Sequence, residues 1–117
     1  MALIKTYMTP KGQASYWIAG IVQVDNYSKT AYTRLYGFAS KEHCDMDGSV
    51  PLIHLDYNIP PEIYRYYFDR EIMEQQGVTP QTQAYQIFKD FEIRDAQGNV
   101  LNFSDAQDKI EGVMGNG

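Results

Sequence analysis

Short runs of alternating apolar and polar residues dominate the chain, and they predict strands before anything else. Leu3 to Met8 reads as a first strand, ended by Thr9-Pro10-Lys11-Gly12, in which proline presets one turn dihedral and glycine supplies the unusual one. Ser15 to Val24 is apolar on both sides, with Tyr16, Ile18, Val22 and Val24 against Trp17, Ala19 and Ile21, which predicts a central strand. After the turn chemistry of Asp25-Asn-Tyr-Ser-Lys29, Thr30 to Ser40 alternates Tyr32, Arg34, Tyr36 and Phe38 with Ala31, Thr33, Leu35 and Gly37. These two strands pair as an antiparallel hairpin, with Trp17 and Tyr36 expected as cross-strand neighbours. Leu52 to Tyr57 is a fourth strand, closed by a corner at Pro60-Pro61, since prolines donate nothing to a central ladder.

The period changes once. Thr79-Pro80 offers a capping hydroxyl and a proline at the first helical position, and Ala84, Ile87, Phe88 and Phe91 then follow at three-and-four spacing. That stripe predicts one helix, about 79–90, lying on the sheet. Residues 62–68 combine strand-like aromatic density with a proline that could open a helix, and the strand is preferred. Residues 41–50 and 70–78 read as surface loops, 91–103 as a hairpin around 95–99, and 105–111 as a short helical piece. The fold class is therefore mainly β: an antiparallel β-sandwich or partly open barrel with one packed helix, forming a single domain over 1–112 with a flexible tail at 113–117.

Composition narrows the class of function. With 117 residues, 44% hydrophobic and 21% charged, the chain has the size and balance of one folded domain. A formal charge of −5 and scattered cations argue against nucleic acid, which needs clustered Lys and Arg on phosphates. The single cysteine, Cys44, leaves no internal disulfide, which is the pattern of a protein made inside the cell. No apolar run approaches the roughly 20 residues that cross a bilayer, and the N-terminal residues contain no apolar core of signal-peptide length. A soluble protein with neither membrane nor nucleic acid as partner is the expectation.

Ligand-type residues cluster only at His43-Cys44-Asp45-Met46-Asp47-Gly48, and the spacing fits neither a zinc site, which draws ligand pairs from separate elements, nor a calcium loop. A solvated turn is the plainer reading, so no catalytic residue, metal or cofactor is assigned. A small hydrolase or metal enzyme built on His43, Cys44 and Asp47 ranks third among the functions considered. Ten tyrosines are the more telling feature, because their rings suit both the rim of a core and a surface covered by another molecule. Trp17, Tyr36, Tyr57, Tyr64, Tyr66, Tyr67 and Phe68 form the candidate contact surface, either for other subunits or, as the alternative, for a stacked saccharide.

Several segments resemble small structural proteins encoded in the tail regions of bacteriophage and prophage genomes. They are the opening Met-Ala-Leu-Ile-Lys-Thr-Tyr with Thr9-Pro10-Lys11-Gly12, Tyr16-Trp-Ile18, Leu35-Tyr-Gly-Phe-Ala-Ser-Lys41, Tyr66-Tyr-Phe-Asp69 and Gln83-Ala-Tyr-Gln-Ile-Phe-Lys89. The segment Asp95 to Asn102 is longer than the compact ending of that group. The resemblance implies a virion component of the tail or baseplate, assembled in the host cytoplasm, without enzymatic activity or cofactor. Its partners would be itself, as a homo-oligomer, and other virion proteins, with a host-surface saccharide as the alternative.

Overall fold

A computed structural model describes residues 2–95 and 98–109, and its centre is one antiparallel sheet. Strands β1 (Ala2–Thr9), β2 (Gly12–Asp25), β3 (Thr30–Phe38) and β4 (Ile53–Ile59) follow one another as neighbours. A short strand, β7 (Gln107–Lys109), joins at the free side of β1, so the spatial order is β4-β3-β2-β1-β7. The apolar-on-both-sides run, β2, is the middle strand, as its pattern requires. The 91–103 hairpin is present as a small second sheet, β5 (Ile93–Arg94) with β6 (Val100–Leu101).

Among the described residues four helices occur, where one packed helix and a short helical piece were expected. Residues 41–50 include α1 (Lys41–Asp45), whose cap Ser40 accepts from the His43 amide at 3.1 Å. Residues 62–68 are helical, not extended: α2 (Pro61–Tyr67) starts on Pro61, and Tyr64 and Phe68 point inward four residues apart. Two-residue alternation would set Tyr66 beside them; the helical period turns it to solvent. The predicted loop at 70–78 contains α3 (Arg70–Gln76), capped by Asp69, whose carboxylate accepts from the Glu71 amide, and ended by Gly77 at φ +67. Helix α4 (Pro80–Asp90) agrees with its prediction, with Thr79 as its cap. The helical piece expected at 105–111 is instead a turn at Asp105 leading into strand β7 across 107–109; residues 110–111 and the tail at 113–117 lie outside the described residues.

The second layer is thus made of helices and the β5–β6 hairpin instead of a full second sheet, and among the described residues no strand closes the main sheet into a barrel. Ala84, Tyr85 and Phe88 of α4 bury against Leu3, Trp17, Ala19, Leu35 and Leu55, with Ile93, Leu101 and Phe103 filling the side. A second cluster joins Ile87 to Ala31, Ile59, Tyr64 and Phe68. Each such large side chain contributes about 1.5–3 kcal/mol by leaving water. On the other face of the sheet, α1 covers only one end, where Ala2, Tyr16 and Phe38 are buried and Ile4, Ile18 and Tyr36 are partly covered.

Trp17 and Tyr36 are not cross-strand partners. Trp17 lies opposite Gly37 and Ile18 opposite Tyr36, so the two rings occupy opposite faces. Each ring covers a glycine: a Cβ on Gly37 would sit 2.5 Å from Cζ3 of Trp17, and one on Gly20 would collide with the Tyr36 ring. The pairing of β2 with β3 slips between Ala19 and Ile21, and helix α4 takes up the displaced groups. The Ala19 amide donates to the Tyr85 hydroxyl at 2.8 Å, and Gln81 Nε2 donates to the Ala19 carbonyl at 2.7 Å.

Candidate contact surface

The β2–β3 turn is fixed by its own polar residues. Asp25 accepts from the amides of Tyr27 at 2.9 Å and Ser28 at 3.1 Å, and the Lys29 amide closes the loop on the Asp25 carbonyl at 2.9 Å. Donation from Ser28 first, and from Tyr27 after it, holds the Asp25 carboxyl below the usual carboxylate range. Lys29 takes the left-handed conformation, φ +60, that lets the chain re-enter β3. From the helix side, the Tyr64 hydroxyl donates to Asn26 Oδ1 at 2.6 Å. A turn tied at both flanks carries Tyr27 at its crest, and that residue is 98% exposed.

At the opposite end of β2, the β1–β2 turn and the chain entering β4 enclose a groove of about 390 Å³. Pro10, Val50, Pro51 and Leu52 supply its apolar wall, and Lys11 and Asp95 its charges. Val50 is 66% exposed, and Met8, two residues before Pro10, 77%. Leu52 is anchored by donation of its amide to the Gly37 carbonyl at 2.8 Å, which fixes that wall against β3.

Between the two ends, the uncovered sheet face carries polar rows set by register. Asp56 is their hub: it accepts from Arg34 Nε and from the Tyr32 hydroxyl, both at 2.6 Å, and His54 Nε2 stands 3.8 Å away. Hydrogen bonding from Arg34 keeps the Asp56 carboxyl below its ordinary range, and the bond to Asp56 raises the Tyr32 hydroxyl above its own. The next row aligns Gln23, Tyr32 and Asn58 across three strands, on the floor of a shallow groove of about 670 Å³.

The seven residues expected to form one contact surface are scattered. Trp17, Tyr64 and Phe68 belong to the core, each at most 1% exposed, and offer no ring to a partner. The Trp17 indole instead donates to the Lys5 carbonyl at 2.6 Å, satisfying a group beside the irregular β1–β2 pairing. Tyr36 is half-buried over Gly20, Tyr57 stacks on Phe91 at 6.1 Å, and Tyr67 meets Phe91 edge-on while its hydroxyl donates to Asp90 at 2.6 Å. Only Tyr66, 60% exposed beneath the Arg65 guanidinium, is a surface ring. Of the ten tyrosines, three are buried, five half-buried and two, Tyr27 and Tyr66, exposed.

Tyr27 went unnoticed in the sequence reading, although its position is informative: a large ring in the middle of a short polar hairpin turn cannot reach the core. Of the metal or nucleophile candidates, His43 accepts from the Ala39 amide at 3.4 Å and packs edge-on against Phe38, Cys44 lies against the small outer cluster, and Asp47 is exposed. Among the described residues no three His, Cys, Asp or Glu side chains converge on one point, and no helix is long and apolar enough to cross a membrane. Searches against protein-family models, curated proteins and solved structures give no match to this chain.

Proposed function

We propose that this protein is a structural component of a bacteriophage virion, a tail or baseplate part without enzymatic activity that works through contacts among its copies and with neighbouring virion proteins. The observation that carries the reading is Tyr27, a ring held almost wholly in water by a turn locked on both flanks. A fixed aromatic group loses little conformational freedom on being covered, which is the character of an interface anchor. The resemblance of several segments to phage tail proteins agrees with it. In the same reading, the half-covered outer sheet face, with Ile4, Ile18 and Tyr36, becomes one layer of a sandwich whose second layer a neighbouring subunit supplies. Light scattering of the purified chain is expected to give a discrete multiple of the single-chain mass, and mass spectrometry is expected to find the chain in purified particles. A strictly monomeric protein missing from particles overturns the proposal.

One observation favours a second reading, a saccharide site. The Gln23-Tyr32-Asn58 row sets an aromatic ring between two exposed amides, the groups that recognise vicinal hydroxyls. A glycan array would report it: binding that Gln23→Ala and Asn58→Ala abolish supports the site, and a blank array removes it.

A further inference from the structure

The Gln23-Tyr32-Asn58 row has a fixed centre. The Tyr32 hydroxyl donates to Asp56, a carboxylate that Arg34 holds in turn through Nε at 2.6 Å and Nη2 at 3.4 Å, so the tip of the ring is pinned to the sheet. The bond to Asp56 raises this phenol above its ordinary range, and it remains a donor at physiological pH. On either side the amides of Gln23 and Asn58 are exposed, and among the described residues neither has a hydrogen-bond partner. They stand two strand spacings apart, about 9.5 Å, with Tyr32 between them. Each amide offers both donors and an acceptor.

Among the residues lining this groove the one formal charge is negative. Asp25 carries it, kept ionised by donation from the Ser28 and Tyr27 amides, while Val24, Ala31, Ile59 and the two prolines make the wall apolar. Arg34, the cation of the adjacent row, is committed to Asp56. We infer, on the saccharide reading given above, that the groove takes an uncharged pyranoside and discriminates against acidic sugars. The apolar face of the sugar ring lies on Tyr32, and hydroxyls at its two edges exchange hydrogen bonds with Gln23 and Asn58, since a hydroxyl also both donates and accepts. A sugar carboxylate is best met by a guanidinium or an ammonium, which no lining residue supplies, and it is repelled by Asp25. At a separation of about 4 Å in water that repulsion is about fivefold in affinity, and it weakens as salt is added.

A glycan array tests the assignment when it sets neutral hexose and N-acetylhexosamine glycans beside uronate- and sialate-terminated ones and is probed with the full chain. Binding is expected on the neutral glycans and to weaken at least about tenfold in Tyr32→Ala, as for an anchor ring. Asp25→Asn keeps the Oδ1 acceptor for the turn amides and removes the charge, so it should fold as the parent by circular dichroism and narrow the neutral-to-acidic gap about fivefold. In the parent the same gap should widen as salt is lowered. Should Tyr32→Ala fail to fold, the Asp25→Asn comparison decides. Acidic glycans bound as well as neutral ones, a gap that Asp25→Asn leaves unchanged, or neutral binding intact in a folded Tyr32→Ala overturns the assignment while a saccharide site stands. A blank array removes the saccharide reading and this inference together, and leaves the assembly reading to its own test in particles.

Discussion

Replacing Tyr85 by phenylalanine tests how the slipped β2–β3 pairing is held. The Tyr85 hydroxyl accepts the Ala19 amide at 2.8 Å, and Tyr85 and Ala19 are 2% and 5% exposed, so water cannot replace the bond. Burial is the main cause that keeps this phenol above its ordinary pKa, and it therefore stays neutral through the physiological range. Phenylalanine fills nearly the same space but leaves a buried N–H without an acceptor, a loss of about 1–3 kcal/mol. For a domain of this size that corresponds to roughly 4–12 °C in melting temperature. Gln81→Ala removes the companion bond to the Ala19 carbonyl, yet Gln81 is exposed, and water can enter there; a smaller cost is expected. Urea unfolding followed by the fluorescence of the sole tryptophan, Trp17, gives both values, and exchange of the Ala19 amide should quicken selectively in Tyr85→Phe. A Tyr85→Phe cost below about 0.5 kcal/mol, or one smaller than that of Gln81→Ala, refutes the assignment of the bulge to this side chain.

Thr33 is fully buried and its Oγ1 has no hydrogen-bond partner among the described residues, so Thr33→Val should raise stability by about 1 kcal/mol in urea unfolding. Gly37→Ala should lower stability by about 1–3 kcal/mol through overpacking against Trp17, visible as a lower melting temperature with a shifted tryptophan emission. The Tyr67 hydroxyl is pushed up to about 12, by burial first and Asp90 second, whereas an unfolded tyrosine titrates near about 10. The folded chain therefore holds this proton more tightly, and the stability it brings is complete below about pH 10 and fades as pH climbs to about 12. Melting temperature against pH should fall less steeply across that window in Tyr67→Phe.

The β2–β3 hairpin and the central place of β2 were readable in the sequence because turns and alternation specify them locally. Thr9-Pro10-Lys11-Gly12 and Asp25 to Lys29 mark the two turns, and the β2 run, apolar on both sides, could only be central. Register was less legible: a one-residue offset at Ala19 to Ile21, invisible in composition, separates Trp17 from Tyr36 and gives each a glycine to cover. Aromatic density misled at 62–68, where Pro61 and the inward pair Tyr64 and Phe68 make a helix that strand propensity would disfavour. The 41–50 and 70–78 segments lack buried residues in their helices, so no apolar stripe announced α1 or α3; Ser40 and Asp69, their caps, were the available signals. The candidate surface failed for a related reason. Its residues are aromatic groups of the predicted strands, and such large rings are what the core takes first, whereas Tyr27 is exposed through its place in a turn.

The pairing of Ala2, Leu3 and Ile4 with Lys109, Asp108 and Gln107 joins stretches more than 100 residues apart, and Lys5 adds an ion pair with Asp105 at 2.5 Å. During translation at about 5–20 residues per second, the first strand waits some seconds with one flank bare before its last neighbour is synthesised. Through that interval the nascent sheet has a ready template for another chain's strand. On a polysome crowded with identical growing copies, the order of synthesis itself therefore sets when premature association can begin and when it ends.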